Sequence, residues 1–127
     1  MSQVLIVDDS ETMRAQMEHL VRELHHSVTA VACGRDAIAQ ARSGQPFDLL
    51  ITDIFMPDMD GLETIERVRE ILPSIKVIAV SGGGVGMPGT VMLDVAKDIG
   101  ATHTLPKPFD PDHLKSAVQA LLNPSAP

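Results

Sequence analysis

The sequence predicts an α/β fold in which five parallel strands form one sheet with helices on both faces. Short apolar runs alternate five times with segments whose apolar residues recur at helical spacing. These runs are continuous instead of alternating with polar residues, as in strands that are covered on both faces. Because the crossover between parallel strands is right-handed, this alternation predicts a doubly wound sheet with five helices.

Three strands and two helices are expected in the first half of the chain. The strands are expected over residues 4–7, 27–32 and 47–53. The first helix is expected over residues 11–24, where five apolar residues share one face: Met13, Met17, Leu20, Val21 and Leu24. A shorter helix follows Gly34 and is broken by Gly44 and Pro46.

Two strands and three helices are expected in the second half. The strands are expected over residues 76–81 and 101–105, and the helices over residues 62–72, 91–99 and 110–122. Pro73 and Gly100 end the first two of these helices, because both residue types interrupt helical geometry. The pattern fits one domain over residues 1–122, followed by a tail over residues 123–127 that is expected to be flexible.

Charge and cysteine content exclude several classes of protein. The formal net charge is −7, which argues against direct binding to nucleic acid or to an anionic membrane surface. The N-terminus lacks the features of a signal peptide, and no apolar run approaches the roughly 18 residues that predict a membrane span. Cys33 is the single cysteine, so no intramolecular disulfide can form. These features predict a cytoplasmic protein.

Polar residues follow or end four of the five expected strands. They are Asp8 and Asp9 after the first strand, then Asp53, Ser81 and Lys107 at the third, fourth and fifth. In doubly wound sheets, ligands bind beyond the carboxyl ends of the strands. Three carboxylates at this edge repel one another unless a cation lies between them, and Mg²⁺ suits such oxygen ligands. Asp53 could then act as a nucleophile towards phosphorus, while Lys107 and Ser81 supply positioning and charge neutralisation.

Most of these residues also have an ordinary structural explanation. Asp9 or Ser10 could cap the first helix, Asp53 could form a turn, and a lysine before a proline is usually a surface charge. His25 and His26 follow the first helix without other metal ligands nearby in sequence, so they suit a helix C-terminus better than a metal site. The occurrence of all the polar residues at strand ends favours a functional site.

Four segments of the chain resemble the response-regulator receiver domains of two-component signalling, in particular stand-alone chemotaxis regulators. The segments are VLIVDDS, LLITDIFMPDMDG, VIAVSG and GATHTLPKPF, and the resemblance covers residues 3 to about 122. The resemblance implies a flavodoxin-like fold with strand order 2-1-3-4-5. It identifies residues 1–122 as a receiver domain.

The resemblance also implies a role for each strand-end residue. Asp53 would accept a phosphoryl group from a sensor histidine kinase or a histidine phosphotransfer protein, and Ser81 and Lys107 would bind its oxygens. The Mg²⁺ site would comprise Asp8, Asp9, Asp53 and the backbone carbonyl of Phe55, with Asp9 as a direct ligand. The phosphorylated chain would then alter its binding to a downstream protein or pass the group on, as a regulatory domain and not as an enzyme.

Three features depart from the pattern of that family. Thr104 stands where many members carry an aromatic residue that moves inward on phosphorylation, and His103 faces the other side of a strand, so it cannot replace the ring. Neither Phe55 nor Gly83 has a polar side chain to orient water, which predicts a long-lived phosphoryl group. Residues 82–89 are rich in glycine, which predicts a switch loop that becomes ordered on phosphorylation.

Two other functions are compatible with the sequence. The chain could be the receiver part of a longer response regulator, with residues 123–127 as the start of a linker. It could also be a phosphatase of the haloacid dehalogenase type, which uses a strand-end aspartate as its nucleophile. That class needs a second Asp two residues later, whereas Asp8 is followed at that distance by Ser10.

Overall fold

The computed structural model describes residues 2–54, 61–81, 97–98, 100–107 and 109–122. The strands are β1 (Gln3–Val7), β2 (Ser27–Val31), β3 (Leu49–Asp53), β4 (Lys76–Ser81) and β5 (His103–Pro106). The helices within the described residues are α1 (Glu11–Glu23), α2 (Gly34–Arg42), α3 (Gly61–Ile71) and α4 (Pro111–Leu122).

The five strands form one parallel sheet in the order β2-β1-β3-β4-β5. The predicted flavodoxin-like strand order is therefore confirmed. The register places Val7 beside Thr52, Asp53 beside Val80, and Ser81 beside Pro106. Because parallel strands end at the same edge, this register brings the residues after β1, β3, β4 and β5 together.

Buried apolar residues form one cluster on each face of the sheet. On one face, α2 and α3 contribute Ala37, Ile38, Ala41, Ile65 and Val68. On the other face, α1 and α4 contribute Met17, Leu20, Val21, Leu114, Ala117 and Val118. Successive residues of β1 alternate between the clusters, as the pleat of a strand requires. Burial of each Leu, Ile, Val or Met side chain stabilises the fold by about 1.5–3 kcal/mol. The strands that carry the site residues are therefore held by a well-packed core.

Local hydrogen bonds account for two strand boundaries that differ from their predicted positions. β5 begins at His103 and not at Ala101, because the Thr102 hydroxyl oxygen accepts the Val77 amide at 3.1 Å in place of a strand carbonyl. β3 begins at Leu49 and not at Phe47, whose amide donates to the carbonyl of Gln45 in a turn.

The predicted helix over residues 91–99 lies mostly outside the described residues. Lys97 and Asp98 are helical, and Gly100 follows with φ +118°, its amide donating to the carbonyl of Lys97. A left-handed glycine is a common end for a helix, as the sequence predicts at this position. Four helices, not five, are complete within the described ranges. None of the helices in the described part of the chain is long and apolar enough to cross a bilayer.

Candidate functional site

Asp8 follows β1 and is held in place through each of its polar atoms. Its amide donates to the carbonyl of Val31, and its Oδ1 accepts the amide of Ser10 at 2.9 Å. Its carbonyl accepts a hydrogen bond from Arg14 Nη1 at 3.0 Å, and its Oδ2 lies 3.3 Å from Lys107 Nζ. Asp8 is fully buried, so these contacts replace all of its contact with water.

Three carboxylates converge where β1 and β3 end. Asp8, Asp9 and Asp53 each offer one carboxylate oxygen, and these oxygens all lie within 4.8 Å of one another. Asp8 and Asp53 are buried, whereas Asp9 is exposed to solvent. Within the described ranges, no other group of three His, Cys, Asp or Glu side chains is close enough to hold a metal ion. An all-oxygen, anionic donor set with one solvent-facing member fits a hard divalent cation such as Mg²⁺.

Lys107 places a positive charge between two of these carboxylates. Its Nζ lies 3.3 Å from Asp8 Oδ2 and 3.3 Å from Asp53 Oδ2. Its amide donates to the carbonyl of Ser81 at 2.8 Å, so the end of β4 fixes the backbone from which the side chain extends. Ser81 is itself fully buried as the last residue of β4. The ammonium group therefore compensates part of the repulsion between Asp8 and Asp53.

Gly61, the first residue of α3, packs directly on the backbone of Asp53. Its amide donates to the carbonyl of Ile54 at 2.8 Å. A Cβ atom at this position would lie 2.7 Å from Ile54 Cα and 2.9 Å from the carbonyl carbon of Asp53, and closer still to the Asp53 oxygen. Only glycine allows α3 to approach the strand end this closely, so Gly61 helps to fix the position of Asp53.

The structure thus brings together Asp8, Asp9, Asp53 and Lys107, as the sequence predicts. Phe55 and the glycine-rich stretch over residues 82–89 lie outside the described residues, as does the tail over residues 123–127. Arg14 also contacts this site, through the carbonyl of Asp8, and no motif in the sequence predicts that contact. A basic residue four positions after a helix cap can reach back past the cap, because helical side chains point towards the N-terminus, but this spacing does not specify which group it contacts.

Three other predicted features have ordinary surroundings in the structure. Ser10 caps α1 by accepting the amide of Met13, so the position that would carry the second Asp of a haloacid dehalogenase instead serves the helix. Thr104 is half-buried, and the exposed His103 lines a groove against α4 on the opposite face. The ring of His26 accepts the amide of Ser2 through Nδ1, and burial lowers the pKa of this imidazole.

Comparison with known proteins agrees with this geometry. Residues 4–119 match the family described as response regulator receiver domain. The chain is 35% identical over 120 residues to the chemotaxis protein CheY of Listeria monocytogenes, covering 94% of this chain and 97% of that protein. The solved structure of CheY4 from Vibrio cholerae superposes with a TM-score of 0.83 at 31% identity, covering 95% of this chain and 98% of that one.

A longer protein matches as well. The DNA-binding transcriptional regulator NtrC of Azospirillum brasilense is 34% identical over 125 residues, which are 98% of this chain but 25% of that regulator. This chain therefore spans about a quarter of the length of that relative. The family match and the chemotaxis relatives agree on one assignment. The chain belongs to the response-regulator receiver domains of two-component signalling.

Proposed function

We propose that this chain is a phosphorylation-dependent switch that accepts a phosphoryl group on Asp53 from a histidine kinase or a histidine phosphotransfer protein. The observation that carries the proposal is the environment of the Asp53 carboxylate. It lies at the end of the central strand, 3.3 Å from the Lys107 ammonium and within 4.8 Å of two further carboxylates. Such an arrangement supplies a nucleophile, a fixed cation and a place for a second cation.

In the proposed reaction, a carboxylate oxygen of Asp53 forms a bond to phosphorus while the bond from phosphorus to the donor imidazole nitrogen breaks. The imidazole leaves with the electron pair of that bond and takes up a proton. Asp8, Asp9, Asp53 and the backbone carbonyl of Phe55 would hold Mg²⁺. The cation would supply charge neutralisation for the phosphoryl oxygens. Lys107 would bind one phosphoryl oxygen through its ammonium group, and Ser81 another through its hydroxyl.

The product would be the phosphorylated chain itself, because the phosphoryl group remains on Asp53. Receiver domains are regulatory phosphoacceptor domains, and this chain is proposed to alter its binding to a downstream protein or to relay the group in the cytoplasm. The match to nearly all of a chemotaxis protein suits a stand-alone switch over residues 1–122. The match to a quarter of a transcriptional regulator suits a receiver within a longer chain, and the mass of the native polypeptide distinguishes the two.

Incubation with acetyl phosphate and Mg²⁺, followed by intact-mass measurement, tests the proposal. The wild type should gain the mass of one phosphoryl group, and Asp53→Asn should gain none because it lacks the nucleophilic oxygen. Asp9→Ala should label slowly because the cation site loses its exposed ligand. Asp112→Asn, which changes an exposed acid on α4, is the matched control and should label normally. Undiminished labelling of Asp53→Asn would exclude Asp53 as the phosphoacceptor.

A further inference from the structure

Arg14 reaches from the first turn of α1 back to the acidic site. Its amide donates to the carbonyl of Ser10, which closes the first turn of the helix, and its side chain is half-buried. From there, Nη1 donates to the carbonyl oxygen of Asp8 at 3.0 Å. Because helical side chains incline towards the N-terminus, a residue in the first turn is the one that can reach the preceding loop.

The bonded carbonyl belongs to the peptide unit that joins Asp8 to Asp9. A peptide unit is planar, so holding its oxygen restricts both the ψ angle of Asp8 and the φ angle of Asp9. Asp8 is already held through its amide and its carboxylate, whereas Asp9 is exposed to solvent. The contact with Arg14 therefore matters most for the direction of the Asp9 carboxylate.

The location of Arg14 is unfavourable for a cation in one respect. The N-terminus of a helix carries a partial positive charge, which repels the guanidinium. The hydrogen bond to the Asp8 carbonyl, in which the donor is charged, offsets this repulsion. The contact with the Asp8 carbonyl therefore accounts for a cation at this end of the helix.

We propose that Arg14 is a positioning residue, which orients the peptide between Asp8 and Asp9 so that both carboxylates face Asp53 and bind Mg²⁺ together. This inference rests on the proposed magnesium-dependent function. The inference predicts a change in Mg²⁺ affinity that is opposite in direction to the change that loss of the Arg14 charge alone would produce. Removal of a nearby positive charge should tighten the binding of a divalent cation, whereas loss of positioning should weaken it.

Titration with MgCl₂, followed by the chemical shifts of backbone amides, measures the affinity without any phosphorylation step. The chain has no Trp or Tyr, so intrinsic fluorescence is not the method of choice. Arg14→Ala should bind Mg²⁺ about tenfold more weakly than wild type, the lower end of the loss expected when a partner of a metal ligand is removed. Arg14→Gln should fall between the two, because its amide group is a shorter, uncharged donor to the same carbonyl.

Arg22→Ala is the matched control. Arg22 lies on the same helix, two turns further on, where it pairs with Glu18 and donates to the carbonyl of Val28 at 3.4 Å. Its removal deletes the same charge and a similar contact at a distance of about 12 Å along the helix, and should leave Mg²⁺ affinity unchanged. Circular dichroism would test whether each variant is folded. If Arg14→Ala is unfolded, the Mg²⁺ affinity of Arg14→Gln is compared with that of wild type instead.

Equal or tighter Mg²⁺ binding by the folded Arg14 variants would overturn the inference, while normal binding by wild type left the proposed function intact. A wild type that bound no Mg²⁺ and gained no phosphoryl mass would instead contradict the proposed function, and the inference with it. An equal loss in Arg22→Ala would also overturn the inference, because the effect would then be general to α1.

Discussion

Replacement of Gly61 by alanine would test whether α3 must approach the backbone of the phosphoacceptor strand. The added Cβ would lie 2.7 Å from Ile54 Cα, whereas ordinary contact begins at 3.4 Å. The start of α3 would therefore have to retreat by roughly 0.7 Å or more, against atoms that are all backbone and cannot rotate away. The same movement would stretch the 2.8 Å hydrogen bond from Gly61 to the Ile54 carbonyl.

The expected cost in the free energy of unfolding is about 2 kcal/mol. Overpacking costs about 1–3 kcal/mol, and a weakened hydrogen bond costs up to about 1 kcal/mol. Alanine recovers up to about 1 kcal/mol by restricting the unfolded chain more than glycine does. For a domain of this size, the loss corresponds to a melting temperature lower by about 8 °C. Labelling with acetyl phosphate should slow as well, because Asp53 moves with its backbone.

Gly44→Ala is the matched control for this prediction. Gly44 has φ +89° and no atom within 4 Å of the position of an added Cβ, so its substitution costs backbone strain but creates no contact. Its melting temperature should fall by an amount that corresponds to about 1–2 kcal/mol, with labelling unchanged. The assay compares thermal melts and time courses of labelling with acetyl phosphate for wild type, Gly61→Ala and Gly44→Ala. A Gly61→Ala protein that melts and labels like wild type would refute the packing argument.

Three further predictions concern single residues. Lys107→Met should lower the free energy of unfolding by about 2 kcal/mol in Mg²⁺-free buffer, because the buried carboxylates of Asp8 and Asp53 lose their cation. This is less than the roughly 3–5 kcal/mol expected for a fully buried pair, because the Lys107 side chain is 21% exposed. Equal urea midpoints would contradict the prediction. His26 contributes stability that is full above its ordinary pKa of 6.5 and is lost as pH falls through its lowered pKa; urea titrations at pH 7.5 and 5.5 should therefore differ less for His26→Gln than for wild type. Phe55→Asn should release phosphate faster than wild type once the donor is removed, because the amide can orient water; equal decay rates would count against this.

The sheet could be predicted from the sequence because its signal is local. Continuous apolar runs such as residues 49–51 and 77–80 can be buried on both faces only in a sheet that helices cover on both sides. The exact start of β5 could not be predicted, because it depends on the hydroxyl of Thr102 replacing a backbone carbonyl opposite Val77. Such a substitution depends on a contact between residues 25 positions apart, which no pattern within one segment reveals.

Some residues of the candidate site could also be predicted from the sequence, and others could not. Asp8, Asp9, Asp53 and Lys107 could be placed together because each follows or ends a strand, and parallel strands end at one edge. Arg14 could not be placed, because its bond to a backbone carbonyl is independent of the identity of the bonded residue. Side-chain contacts to the main chain are therefore hard to predict from a single sequence, although they position the reactive groups.

The charges at the site indicate what phosphorylation would change. Asp8, Asp9 and Asp53 carry three negative charges, and Lys107 compensates one of them at 3.3 Å from two carboxylates. The remaining two match one divalent cation, which is the balance that a magnesium site at this edge requires. Phosphorylation would replace the single charge of Asp53 by about −1.5 to −2, so the site would gain up to one negative charge that its cations no longer balance. Because Thr104 provides no aromatic ring to register this change, we expect the added charge and oxygens to act through the donors that reach them directly, Lys107 and Ser81.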